Sequence, residues 1–385
     1  MTTPTESGPA ALVGLLRADG LSIDPQWEAA FVAVPRHAFL PDVVWENDAD
    51  GWLSPVGRED SRWRSWAYSD VPIVTQVDDG EPEGADGRGR LATSSASQPL
   101  MVLTMLEALE VYGGARVLEI GTATGFNAAL LSERLGAEHV TTIEIDAALA
   151  EQGRANLHRV GFSPSTVVGD GTKGVAAGAP YDRVLATVAA KTVPYAWVEQ
   201  TRPGGLIVAP WGNDYLGHRL LRLVVGADGT ASGWVIGPAA FMWLRDQRSY
   251  RGTWRDHIDF DAPMTEATTT TDPRIAVAAE DSGVRFVVGF AVADLYAMSF
   301  TAKDGSGEST VWLYDARGSW AAVDFVPGAR EYAMSHHGPR NLWAEVEHAV
   351  GAWEAAGRPD RERFGVTVTP TEQQVWLDEP DNVVA

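Results

Sequence analysis

Apolar spacing sets the first boundaries along the chain. Leu12, Leu15 and Leu16 recur at helical intervals within 10–17, and Trp27, Phe31 and Val34 form a second stripe. The chain up to about Pro72 therefore reads as short helices and loops. Residues 78–90 are acidic and Gly-rich with no apolar period, which predicts a solvated loop. Ser97-Gln98-Pro99 predicts a helix start, with Ser97 as cap and Pro99 in the first turn, continued by Leu103, Leu106 and Leu109. Strands and helices then alternate: strand 116–120, helix 127–135, strand 139–145, helix 147–160, strands 166–168 and 181–187, and strand 206–210 after Gly204-Gly205. Such alternation predicts a parallel sheet covered on both faces.

Past Trp211 the texture is β-rich, with strands expected over 220–225, 284–291, 310–314 and 320–325. Leu342, Val346, Ala349, Val350 and Trp353 predict a helix over 341–356 that stops at Gly357. Phe364, Val366 and Val368 alternate on one arm of a hairpin, with Val375 and Leu377 on the other. The expected fold class is α/β, a doubly wound sheet with a small N-terminal helical region and a C-terminal α+β module. The boundaries drawn from the pattern are 1–76 (helical, packing on the next domain), 77–218 (the doubly wound domain) and 219–385 (the C-terminal module).

Composition narrows the function. The 385 residues are 45% hydrophobic and 21% charged, an ordinary globular balance. Thirty Lys and Arg against 52 Asp and Glu give a formal charge of −22, which repels phosphate backbones and anionic lipid and argues against nucleic-acid or membrane partners. No apolar run approaches the roughly 20 residues of a membrane span, and the N-terminus lacks a basic and apolar signal, so a cytoplasmic location is expected. The absence of Cys excludes disulfides and thiolate chemistry. Nine of the 15 Trp lie from Trp211 onward; most suit core packing and one or two a peptide groove.

Candidate chemistry begins at Val117–Asn127, a strand, a small-residue turn and a helix start. Gly121, Thr122 and Gly125 let backbone approach a ligand at the carboxyl end of the first parallel strand. The pattern is Glu-x-Gly-x-x-x-Gly, neither the three-glycine dinucleotide fingerprint nor a phosphate loop, and Glu119 suits a cationic or hydroxyl-bearing ligand. Glu144 ends the second strand 19 residues after Gly125, where an acid can take both ribose hydroxyls. Gly169-Asp170-Gly171 ends the third, with Asp170 able to accept from an adenine amino group. Each alone has a plainer reading: a structural turn, a solvated strand end, an Asp-Gly turn. Together they describe a phosphate-free adenosine pocket, which points to S-adenosyl-L-methionine as cofactor.

Further motifs accompany that pocket. They are 34–41 (Val-Pro-Arg-His-Ala-Phe-Leu-Pro), 67–73 (Ala-Tyr-Ser-Asp-Val-Pro-Ile), Ser95-Ala96-Ser97-Gln98-Pro99, Ala179-Pro180-Tyr181-Asp182, and Gln200 with Gly204-Gly205 and Pro210. In this order, over about 30–215, the chain resembles the protein-L-isoaspartate O-methyltransferase family. The resemblance implies a Rossmann-like class I methyltransferase that esterifies an isoaspartyl side-chain carboxyl in a peptide, releasing S-adenosyl-L-homocysteine. It implies Ser97 as the active-site serine with Ser95 beside it. Glu119, Gly121, Thr122, Gly125, Glu144, Asp170 and Gly171 would line the cofactor, and Tyr68 and Gln98 the substrate.

Three departures stand out: Ser95-Ala96 where the family has Thr-Ile, the stretch 78–90, and about 170 residues after Trp211. They resemble a long actinobacterial branch encoded with ribosomally made peptides (graspetides and lanthipeptides). There a normal Asp of a modified precursor peptide is methylated and the ester closes to a succinimide (aspartimide). On this reading the C-terminal module recognises the peptide, with His336 and His337 as substrate contacts; no further acid or His at ligand spacing supports a metal there. Repair of damaged proteins, an inactive peptide chaperone and a small-molecule carboxyl methyltransferase are the rival expectations. A carboxylate at pH 7 lies about three units above its pKa of ~4, so attack needs no general base.

Overall fold

The computed structural model describes residues 8–18, 23–249, 254–279 and 282–384. Both N-terminal stripes are helices, α1 (Pro9–Ala18) and α2 (Pro25–Ala33), the second capped by the Asp24 carboxylate, which accepts from the Gln26 N–H. The chain then forms strands that periodicity did not reveal: β1 (Val43–Asn47) and β2 (Leu53–Gly57), followed by helix α3 (Ser61–Ala67) and strands β3 (Ile73–Val77) and β4 (Ala92–Ala96). They make an antiparallel sheet in the order β2-β1-β3-β4. Each is five residues long, and β4 reads Ala-Thr-Ser-Ser-Ala, too short and polar to show an apolar alternation.

The stretch 78–90, expected as a solvated loop, is the largely exposed β3–β4 connection, and hydrogen bonds within it fix its course. The Asp78 carboxylate accepts from the N–H groups of Glu83, Arg90 and Leu91. The Arg90 guanidinium lies 3.4 Å from the Trp52 ring centroid, and Trp45 Nε1 donates to the Gly87 carbonyl. Helix α4 (Pro99–Ala108) also starts differently from expectation. Gln98, not Ser97, is its cap residue and makes no side-chain cap; the Asp70 carboxylate caps from outside, accepting from Leu100 N–H at 2.8 Å and Gln98 Nε2 at 2.7 Å.

The predicted alternation follows: β5 (Val117–Ile120), α5 (Phe126–Leu135), β6 (Val140–Glu144), α6 (Ala147–Arg159), β7 (Ser165–Val168), β8 (Tyr181–Ala186), α7 (Tyr195–Glu199) and β9 (Thr201–Asn213). Strands run parallel in the order β9-β8-β5-β6-β7, with Ile120 opposite Ile143 and Ala186, and Glu144 opposite Val168. Every residue of β5 is buried, as a strand covered on both faces requires. Phe126 of α5 packs edge-on against Phe31 and Phe39, at 6.1 and 5.6 Å, joining the N-terminal helices to the main core. Strands β10 (Gly217–Val225) and β11 (Ala231–Ala239) come next.

Two compact units result. The first takes the chain to Pro210 with Leu220–Ala231 and Ala239–Leu244; the second takes Trp211–Arg219, Ser232–Pro238 and everything from Arg245. The second holds β12 (Thr265–Thr269), α8 (Gly283–Ala291), β13 (Tyr296–Thr301), β14 (Ser309–Tyr314), β15 (Trp320–Phe325), β16 (Tyr332–His337), α9 (Leu342–Ala355) and the hairpin β17 (Phe364–Val368) and β18 (Gln373–Leu377). Its five-stranded antiparallel sheet has the order β12-β16-β15-β14-β13. The segment 284–291, expected as a strand, is helix α8. Its β-branched composition suggested a strand, but Val284, Val288 and Val292 fall four apart, and all three are buried in one core with Trp343, Val346 and Val350. Among the described residues, no helix is long and apolar enough to cross a membrane.

Candidate functional site

Parallel pairing brings three strand ends side by side, about 4.8 Å apart per strand. Gly121 donates to the Ile143 carbonyl and Gly169 to the Glu144 carbonyl, both at 2.8 Å, so the three following turns continue the sheet's order. Gly121 (φ +97°) and Gly125 (φ +87°) take the left-handed conformation, and so does Ala123 (φ +43°), a strained choice for a residue with a Cβ. A Cβ on Gly125 would lie 3.0 Å from the Gly153 carbonyl of α6, so helix and turn meet backbone to backbone.

Glu144 holds this turn. One carboxylate oxygen accepts from Ala123 N–H at 2.9 Å and the other from Asp146 N–H at 3.1 Å. Each oxygen keeps a second lone pair. Asp170 accepts from the Thr172 N–H and hydroxyl, which keep its carboxyl below the usual range, and Lys173 lies 3.5 Å away. The Asn156 amide, buried on α6, donates to the Thr124 carbonyl at 2.9 Å.

Glu119 sits beneath the turn. It is fully buried and accepts from Asn127 Nδ2 at 2.7 Å and from the Thr142 hydroxyl at 2.6 Å; that hydroxyl also lies 2.7 Å from Thr122 Oγ1. Burial pushes its carboxyl up to about 7, against the opposing pull of those two donors, and the Glu144 charge adds to the rise.

Ser97 lies at the end of β4, ahead of α4, on a wall fixed by Arg36. Arg36 is 1% exposed and, among the described residues, faces no carboxylate at hydrogen-bond distance. One terminal nitrogen donates to the carbonyls of Trp66 and Ser69, the other to those of Val71, Ala96 and Ser97, at 2.9–3.2 Å. Burial lowers its pKa to about 10, opposed by the nearby Asp70 charge. The half-buried Ser97 hydroxyl has no protein partner among the described residues. The Ser95 hydroxyl reaches Met242 Sδ at 3.8 Å, and the Met242 carbonyl accepts from Ala189 N–H beyond β8. Buried Tyr68 bonds through its hydroxyl to His37 Nδ1.

His336 and His337 are neighbours on β16, so they point to opposite faces of the second unit's sheet. His337 bonds Pro263 and lies 6.0 Å from the Trp320 ring, on the aromatic face. The two rings therefore do not act as a pair. No group of three metal-ligating side chains occurs among the described residues. Sequence reasoning missed Arg36, Asp70, Asn127, Asn156 and Thr142. Arg36 and Asp70 lie inside the quoted motifs, and a charged residue without a near-sequence partner was the available signal.

The sequence pattern of protein-L-isoaspartate(D-aspartate) O-methyltransferase (PCMT) matches residues 53–247. A protein-L-isoaspartate O-methyltransferase of Ignicoccus hospitalis is 34% identical over 241 residues, 61% of this chain and 96% of that one. One from Rhodopseudomonas palustris is 36% identical over 201 residues, 52% of this chain and 67% of that one. A solved structure named protein-L-isoaspartate O-methyltransferase aligns with 96% of this chain and 100% of its own, at 22% identity and a TM-score of 0.54. A fold with so long a C-terminal region is thus found under that name, contrary to the expectation that such enzymes lack it.

Two outcomes are expected. Glu119 binds its proton more tightly folded than unfolded, so that stabilisation is complete below the ordinary value of 4.5 and is lost as pH rises through about 7. Glu119→Gln should therefore flatten the fall in Tm between about pH 5 and about pH 8, and a slope matching the parent's would contradict the assignment. Arg36→Lys, which cannot reach five carbonyls with one ammonium, should lower methyl transfer by about 100-fold, with a much smaller change in nucleoside binding by calorimetry.

Proposed function

Since the chain belongs to the protein-L-isoaspartate O-methyltransferase family, we propose that it esterifies the side-chain carboxyl of isoaspartyl residues in proteins or peptides. It is an S-adenosyl-L-methionine-dependent carboxyl O-methyltransferase. The observation that carries the reading is that one family pattern, over 53–247, spans all three strand-end turns together with Ser97.

The residues present suit that cofactor. The pocket offers open glycine backbone and carboxylate acceptors, a donor set for hydroxyls and an amino group, not for a pyrophosphate. Glu144, with a free lone pair on each oxygen, would take the ribose hydroxyls, and Asp170 beside Gly171 the adenine amino group. Gly121, Thr122 and Gly125 would line the remainder. Glu119, being buried, would act by fixing Asn127 and Thr142 under the turn. When bound, the cofactor supplies a methyl group on a positively charged sulfur.

The chain's own part is to bind and orient an anion. At neutral pH the substrate carboxyl is already ionised, so no side chain need remove a proton. The Ser97 hydroxyl would donate to one carboxylate oxygen. Attack consumes both charges, so excluding water favours the reaction, and one neutral hydroxyl holds the anion without over-stabilising it before reaction.

A second reading replaces the isoaspartyl residue by a normal Asp in a ribosomally made, cyclised precursor peptide. Its support is Ser95-Ala96 and the connection 78–90. After methylation, the next residue's amide nitrogen would attack the ester carbonyl, giving the ring and methanol, with the amide proton passing to the departing methoxide.

Labelled methyl donor should mark a short isoaspartyl peptide far faster than its Asp counterpart. Ser97→Ala should slow that labelling by roughly 10–100-fold, the loss of one hydrogen bond to a charged group. Label on an Asp-containing precursor peptide and none on the isoaspartyl peptide would overturn the first reading in favour of the second.

A further inference from the structure

A cleft of about 570 Å³ opens beside the Arg36 wall, lined among others by His37, Asp42, Arg58, Gln152, Asn156 and Arg159. Its charge is opposite to the molecule's. Arg58 and Arg159 line it, and Arg64 is close enough, with them, to depress the His37 pKa, although burial of that ring is the larger cause. Asp42 lies 3.0 Å from Arg58, with most of its carboxylate side chain in solvent. Arg159 directs one nitrogen to the Ala38 carbonyl and to Asn156 Oδ1, which fixes the guanidinium at the cleft edge. Arg64 is exposed and has no ion-pair partner among the described residues.

Arg58 and Arg159 at the hollow, with Arg64 near His37, add up to positive charge that a single solvated carboxylate offsets only in part. In a chain of net charge −22 this is a place where an anionic ligand finds attraction instead of repulsion. Guanidinium favours carboxylate, which it can bind with two parallel hydrogen bonds. The volume is that of a site for several side chains, not of one small ion.

We infer that this cleft binds acidic side chains of the substrate peptide flanking the residue to be methylated. The inference rests on the proposed action on peptide carboxyls. His37 is one residue from Arg36, whose guanidinium reaches the Ser97 carbonyl, and Tyr68, bonded to His37, precedes the Ser69 carbonyl held by the same guanidinium. An extended peptide advances about 3.3 Å per residue, so the acidic residues the cleft would take are those within a few positions of the one to be methylated. Acidic neighbours would thus select the substrate, while Ser97 holds the reacting carboxylate.

Binding is tested on the full chain with a fluorescent peptide bearing four Glu and no methyl acceptor, against the same peptide with Gln. The Glu peptide should bind at least about tenfold tighter, and its affinity should fall steeply from ~0.01 M to ~0.15 M ionic strength as the Debye length shrinks from about 30 to about 8 Å. Arg64→Gln, at an exposed position, and the triple Gln variant at Arg58, Arg64 and Arg159 should weaken binding in that order. Equal affinity for the two peptides, or a triple variant that binds like the parent, overturns the inference. So does complete competition by acetate at matched carboxylate concentration, which would mark a mere anion sink. Methylation assays separate the two ideas. Isoaspartyl peptides labelled equally whether flanked by Glu or Gln would remove the cleft's role and leave the activity standing. Glu-dependent binding without methylation of either would do the reverse.

Discussion

A buried guanidinium held by backbone carbonyls, with no counter-ion within bonding reach among the described residues, is the constraint on which the substrate side of the site depends. Removing such a charge from water costs several kcal/mol, and here backbone carbonyls provide the compensation. Five of them converge on Arg36, from the last turn of α3 and the segment after it and from the end of β4. None can be withdrawn cheaply, so the two segments are locked to each other, and Ser97 is locked with them. Asp70 adds a second tie by capping α4 from the first of those segments. The sheet β2-β1-β3-β4 completes the frame, since β4 enters the wall paired to β3 through Ile73 and Ala96.

The cofactor side follows a different logic. Its turn contains a non-glycine residue at positive φ, and the strain is held by acceptors and donors around it: Glu144 on Ala123, Asn156 on Thr124, and Thr187 on Gly121. Glu119 underlies all of this as a carboxyl whose burial raises its affinity for a proton. Such a group rigidifies the network of Asn127 and Thr142 in either protonation state, because both partners can reorient a hydroxyl or amide toward it.

The parallel half of the fold was legible because short strands alternate with helices across Gly-rich turns; β5, α5, β6 and α6 lie within one or two residues of expectation. The antiparallel sheet before it was not, since strands such as β4 are polar and acquire their identity from pairing. Helix α8 was misread because a run of β-branched residues carries strand propensity, while the buried spacing of Val284, Val288 and Val292 is decided by α9. The acids at the strand ends were visible as residue types beside glycines. Arg36 was visible only as part of a motif, because its partners are carbonyls 30 to 61 residues away and carbonyls have no sequence signature.

That choice of partners bears on the chemistry. In a reaction where an anion and a cation become neutral, a guanidinium free to pair with the substrate carboxylate would stabilise the reactants more than the transition state. Arg36 is close to the wall, yet its terminal nitrogens are occupied by backbone oxygens, so its charge organises the site without clamping the carboxylate. A hydroxyl is what remains to meet the anion. The separation of tasks is then physical: a cation turned inward for rigidity, a neutral donor at Ser97 for the reacting group, and a set of guanidiniums only partly offset by Asp42 around His37, where carboxylates that do not react can be held without slowing the one that does.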